Sequence, residues 1–292
     1  MRDFLRPPRF GPAGLSESYW QKGYKNALGA VEDTLSRGLE AFEYQCGHGV
    51  RVAEKTAETL KEQADAGGLT FSLHAPYYIS MSSREEEKRL GSLRYFLQSA
   101  KAVRSLGGNR VVFHTGSAGK QSRTAAMEKT IDTLSRARAL LDEEGYEDIY
   151  LCPETMGKQG QLGTLAEVLA LCAMDKRHIP CVDFGHLYAR DKGVLQSGKE
   201  YAEILDRIGE ALADERASFF HIHFSRVEYG ESGERKHLNF DNQPSGPPHE
   251  PLLELLYLRK LSPVMICESA GHQAEDAVTM KRYYQSLGQR QK

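Results

Sequence analysis

LTFSLHAPYYISMSSREEEKRLGSLRYFLQSAKAVRSLGGNRVVFHTGS, residues 69–117, contains a complete strand, helix and strand. Residues 69–74 are a short apolar run ending in His74, and residues 110–114 are a second ending in His114. Between them, KRLGSLRYFLQSAKAVRSLGG spaces its apolar side chains three and four residues apart and closes on glycine, the pattern of an amphipathic helix with a C-terminal cap. A long helical crossover between two such runs makes the strands parallel.

The same alternation continues outward. Apolar runs at 9–11, 41–45, 148–154, 179–183, 218–223 and 264–268 bring the strands to eight, and VAEKTAETLKEQADAGG and SRTAAMEKTIDTLSRARALLDEEG repeat the helical pattern. No Ser/Pro/Gly linker interrupts residues 1–292, which read as one domain of the α/β class. Eight β/α units close most naturally into a (β/α)8 TIM barrel. A doubly wound open sheet would want a glycine-rich phosphate loop after the first strand, and Gly11-Pro12-Ala13-Gly14 does not fit GxGxxG. Residues 227–251 lack periodicity and are rich in Gly, Pro, Asn and His, so a functional loop is expected there.

With 40% hydrophobic and 27% charged residues in 292, the chain can bury a sizeable core. A net charge of −2 gives no global attraction to polyanions; a polyanionic substrate would need a local positive site such as bound metal ions. The five cysteines, Cys46, Cys152, Cys172, Cys181 and Cys267, have no CxxC spacing and read as buried reduced thiols. MRDFLRPPRFGP lacks the apolar core of a signal peptide, and no run approaches the roughly 20 apolar residues of a membrane span. A cytoplasmic protein without membrane contact is expected, and no exposed apolar stripe points to an obligate protein partner.

The chemistry lies in where the strands end. HAPYY gives His74, FHTGS gives His114, ETMGKQG gives Glu154, VDFGH gives Asp183 and His186, HIHFSR gives His221 and His223, and ICES gives Glu268. Each residue alone reads as well as a satisfied core histidine or a solvated carboxylate. Six consecutive strands aiming imidazole or carboxylate at the C-terminal rim, where barrels place their active sites, read as one cation site. Mixed imidazole and carboxylate ligation suits Zn2+, with Mn2+ or Fe2+ as competitors. His221 and His223 point to the same face of their strand, so His223 is either a further ligand or a supporting residue.

This ordered set of motifs resembles that of endonuclease IV, the family 2 apurinic/apyrimidinic endonucleases of the xylose isomerase-like barrel superfamily, over about residues 69–270. The resemblance implies a zinc-dependent hydrolase that cleaves DNA on the 5′ side of abasic sites in base excision repair. It implies that His74, His114 and Glu154 hold one metal, that Glu154 bridges to a second held by Asp183, His221 and Glu268, and that His186 and His237 belong to a third. Glu154, Asp183 and Glu268 would then be the catalytic carboxylates, with ions roughly 3.5–4 Å apart activating water for in-line attack on phosphate. Tyr77 matches a tyrosine lining the family's substrate pocket.

The chain departs from the pattern at several points. The Asp-x-His pair of the third metal reads Arg235-Lys236-His237, with Glu234 or Asp241 as stand-ins and Arg235 as a candidate phosphate contact. The second-strand loop, which in the family carries a duplex-entering arginine, reads Cys46-Gly47-His48-Gly49, the first-strand histidine position falls in Gly11-Pro12-Ala13-Gly14, and the turn after the seventh strand reads Asn239-Phe240-Asp241-Asn242. A metal-dependent sugar or sugar-phosphate isomerase or epimerase of the same superfamily is the alternative, since Glu154, Asp183, His221 and Glu268 would serve its simpler ligand set. A non-catalytic metal-binding protein is a third reading. Trp20 reads as a half-buried aromatic of the first helix, and His48 and His272 are near strand ends, whereas His178 and His249 are not tied to the set.

Overall fold

A computed structural model describes residues 6–241 and 246–289. Asn242 and the first five residues, on which two of the readings above fall, lie outside them. Eight parallel strands follow the expected pattern: β1 (Arg9–Pro12), β2 (Ala41–Gln45), β3 (Thr70–His74), β4 (Arg110–His114), β5 (Tyr150–Glu154), β6 (Cys181–Asp183), β7 (His221–Phe224) and β10 (Val264–Cys267). The order β1-β10-β7-β6-β5-β4-β3-β2 is that of a barrel opened at one seam. The seam is bridged by Glu40 N–H to the Phe10 carbonyl at 3.0 Å and Gly14 N–H to the Glu43 carbonyl at 2.9 Å. Gly11 makes this approach possible, because a Cβ there would stand 1.8 Å from the Ala41 carbonyl oxygen.

Helices α1 (Glu17–Gln21), α2 (Ala30–Ser36), α3 (Glu54–Gly67), α4 (Glu86–Ser105), α5 (Arg123–Glu143), α6 (Leu165–Ala173), α7 (Phe184–Arg190), α8 (Gly198–Leu212), α9 (Arg216–Phe219), α10 (Glu250–Leu258) and α11 (Gln273–Gln289) surround the strands. Their apolar stripes are buried against them, as with Phe96, Ala100 and Val103 of α4 on Leu73, Val111 and Phe113. At the foot of the barrel the buried Arg110 guanidinium donates to the carbonyls of Phe219 and Phe220 at 2.8 and 3.3 Å. All five cysteines are free and buried.

Two expectations are corrected. The seventh strand starts at His221, after the short helix α9, and not at residue 218. The expected loop at 227–251 is in part regular: β8 (Arg226–Gly230) and β9 (Gly233–Leu238) pair antiparallel, and α10 begins at Glu250. The sequence conceals the hairpin because its only fully buried apolar residue is Val227, so no hydrophobic alternation marks it.

Candidate metal centre

Strand register brings the rim residues level. His114 and Glu154 are direct partners across β4 and β5, Asp183 pairs with His223 across β6 and β7, and the Glu268 N–H holds the Phe224 carbonyl at 2.9 Å. Asp183 also caps α7, accepting from the His186 N–H at 2.7 Å, so the first turn of that helix returns His186 to the same site.

Glu154 sits between two groups. Its Oε2 is 3.3 Å from both His74 Nε2 and His114 Nε2, while its Oε1 is 3.2 Å from His186 Nδ1 and 3.5 Å from His223 Nδ1. Ligand atoms of His74, His114 and Glu154 lie within 4.8 Å of one another, and so do those of Glu154, Asp183, His223 and Glu268. Either group could hold a metal ion, with one carboxylate common to both.

Hydrogen bonds to backbone carbonyls fix the tautomer of two of the rings. His74 Nδ1 lies 2.9 Å from the Ala75 carbonyl and His186 Nδ1 2.9 Å from the Thr155 carbonyl. A carbonyl only accepts, so in both rings Nδ1 carries the proton; His74 Nε2 then faces Glu154, whereas His186 keeps its protonated Nδ1 beside Glu154 and Asp183 and turns Nε2 to His237. His223 Nδ1 faces Glu268 Oε1 at 3.4 Å. Both ring nitrogens of His223 and Asp183 Oδ2 are buried without a hydrogen-bond partner. Inward nitrogens opposite carboxylate oxygens must share either protons or cations, and the donor set fits Zn2+, Mn2+ or Fe2+.

The ionisation of these groups is strongly distorted. Burial opposes charge on Glu154, but hydrogen bonds from His186, His223 and His74 outweigh it and hold the carboxyl well below its ordinary range. For Asp183 burial wins over the attraction of His186, and the carboxyl is pushed up to about 6. Burial drives His114 down to about 4, while Asp183 and Glu154 overcome burial at His186 and raise it to about 10. Groups pushed apart in this way mark a functional site.

The structure places His221, expected as a ligand, elsewhere. It pairs with Cys181, two residues below the Asp183–His223 rung, and its Nε2 donates to Glu43 Oε2 at 3.0 Å. Both histidines face inward, and the one nearer the C-terminal end, His223, reaches the group of Glu154, Asp183 and Glu268. His237, on β9, stands with Nε2 3.3 Å from His186 Nε2 and Nδ1 3.0 Å from Ser225 Oγ. Arg235 is not in the cavity: it falls at the register shift of the hairpin, and its side chain is 63% exposed with the guanidinium 3.6 Å from Glu228. Asp241 is exposed and pairs with His272 at 3.5 Å.

The site opens into a cavity of about 450 Å³ lined by Tyr77, Gln45, Met156, Lys158, Gln161, Glu234 and Gln273 in addition to His74, His114, His186, His237, Glu154 and Glu268; Asp183 and His223 lie beneath its floor. Tyr77 stacks on His114 with ring centroids 5.2 Å apart and covers Gly47, so the turn after β2 lies beneath it. Lys158 sits 3.9 Å from Glu234 and is the basic residue of the lining. His48 meets the edge of Tyr77, whereas His178 bonds the Leu171 carbonyl and His249 stacks on Phe240. Trp20 is 48% exposed and packs on Tyr19. Sequence reasoning missed Lys158, which lies inside the quoted ETMGKQG, and Glu43, whose signal was a carboxylate between Phe42 and Tyr44.

Known proteins bear on this site at the level of the family. The chain is 33% identical over 274 residues to the uncharacterized protein MJ0133 of Methanocaldococcus jannaschii, covering 94% of this chain and 96% of that one. It is 26% identical over 224 residues to the probable endonuclease 4 of Mycoplasma pneumoniae, 71% of this chain and 74% of the relative. Among solved structures, endonuclease IV of Thermus thermophilus superposes with a TM-score of 0.70 at 23% identity, over 97% of this chain and all of that one (100%). A D-tagatose 3-epimerase-like protein does so with a TM-score of 0.69 at 18% identity, over 89% and 93%. Both likenesses are of fold. The family described as xylose isomerase-like TIM barrel matches residues 31–286, and the chain belongs to it.

Proposed function

We propose that the chain is a divalent-metal-dependent phosphodiesterase of the endonuclease IV type, incising DNA 5′ to abasic sites as a cytoplasmic zinc enzyme of base excision repair. The observation that carries the reading is Glu154, whose two oxygens face two separate ligand groups and so span a pair of ion positions. Similarity to a probable endonuclease 4 supports the substrate class. His74, His114 and Glu154 would hold one ion, and Glu154, Asp183, His223 and Glu268 the other, with His186 and His237 open to a third. Ions so held would supply Lewis-acid charge and an activated water. Glu154, Asp183 and Glu268 would hold that charge in place, and His74, with its proton held on Nδ1 by the Ala75 carbonyl, presents Nε2 as a lone pair. Tyr77 closes one wall of the cavity, and the Lys158 ammonium is placed to meet a phosphate oxygen.

A second reading, a sugar isomerase or epimerase, is favoured by the cavity itself. Its volume of about 450 Å³ suits a small molecule, and the turn after β2 is tucked beneath Tyr77 rather than projecting toward a duplex. Incubating the protein with a duplex carrying one abasic-site analogue, with bound metal counted in parallel, separates the two. We expect incision on the 5′ side that a chelator abolishes. Intact duplex with two or more ions bound per chain would overturn the nuclease reading in favour of a small substrate.

A further inference from the structure

Beneath the rim lies a second polar layer that the chemistry above does not use. Glu43, in the middle of β2, is wholly buried, with His221 and His223 also at 0% exposure. Its Oε2 accepts from His221 Nε2 at 3.0 Å and from Ser72 Oγ at 2.9 Å. Its Oε1 accepts from Gln45 Nε2 at 3.1 Å and lies 3.0 Å from His223 Nε2. Buried carboxylates cost too much to keep unless every lone pair has a purpose. Here both oxygens accept hydrogen bonds, and the carboxylate also stands within ion-pair distance of His223, the ring whose other nitrogen faces Glu154 and Glu268.

We infer that Glu43 is a positioning residue for the metal centre: its negative charge, 3.0 Å from His223 Nε2, draws the ring's proton to that nitrogen and leaves Nδ1 as a lone pair aimed at the ion. The role rests on the metal-binding reading proposed above. Without the carboxylate the His223 ring can place its proton on Nδ1, opposite Glu154 and Glu268, where it competes with an ion for the same position. Carboxylate, imidazole and metal in line also make the imidazole a stronger ligand. Cys181, His221 and His223 offer ligand atoms within 4.8 Å of one another and form a rival site for a deeper ion. Glu43 argues against it, because it already takes the Nε2 face of both imidazoles.

Zn2+ affinity and stoichiometry, measured by competition with a chromophoric chelator, test the inference in the full chain and in Glu43→Gln. Long-range 1H–15N NMR of the imidazoles reports the His223 tautomer in the same samples. We expect Glu43→Gln to bind zinc about 10- to 100-fold more weakly with the same number of ions at saturation, and to lose the single Nε2–H tautomer. Ser72→Ala, which removes only the donor to Glu43 Oε2, should fold whether or not Glu43→Gln does and should weaken binding a few-fold. Unchanged affinity in the variants with a normal wild type overturns the role alone. Loss of one whole ion from Glu43→Gln would make Glu43 part of a deeper site and overturn it as well. A wild-type chain that binds no zinc overturns the metal reading first, and this role with it.

Discussion

The barrel strands and the β8–β9 hairpin both bring histidine to the same centre, and they do so in opposite ways. His74, Glu154, Asp183, His186 and His223 stand on the strands or on the helix turn that continues one of them. All are buried, and each has a partner on its far side or in the adjoining strand that fixes its direction. His237 comes from a two-stranded ribbon whose neighbouring side chains, Arg235 and Lys236, are spent on solvent and on Glu228. Its own side chain remains 25% exposed. The strands build the buried part of the site, while the ribbon supplies its partly exposed edge.

The comparison breaks most sharply at Glu154. Glu154→Ala should remove the carboxylate common to both ligand groups and lower activity by about a thousandfold or more, with the bound ions lost as well. Full metal occupancy in that variant, by elemental analysis, would contradict the bridging position. His237→Ala should act on one edge only, lowering turnover about ten- to a hundredfold and releasing at most one ion. Loss of every ion would mean that the ribbon is as integral as the strands. Arg235→Ala should leave turnover within about twofold, the ordinary effect of an exposed substitution. A tenfold drop in steady-state rate would put Arg235 back among the substrate contacts.

The barrel was legible because hydrophobic period and chain polarity are local signals: residues 69–117 alone specify a parallel strand pair. The ligand-bearing rim was legible for the same reason, since a strand that ends in histidine displays it at a known end of the fold. Depth was not legible. His221 and His223 are equivalent by alternation, and only the register with Cys181 and Asp183 separates them. Arg235 and Lys158 show the same limit from the other side. Spacing from His237 suggested Arg235, but a register shift at Glu228 and Tyr229 turns it to solvent, and the cation of the cavity comes from a loop far away in sequence.

The hairpin meets the loop after β5 through its main chain, with the Glu234 N–H donating to the Gly157 carbonyl at 3.2 Å and the Gln159 N–H to the Ser232 carbonyl at 3.0 Å. A Cβ at Gly233 would stand 2.1 Å from the Gly157 carbonyl oxygen, and a Cβ at Gly157 would stand 2.5 Å from the Glu234 Cβ. Main chain therefore rests on main chain, and the height of His237 over the centre is set by peptide geometry. Substitutions of the outward residues of the ribbon, Arg235 and Lys236, therefore leave the support of that histidine in place.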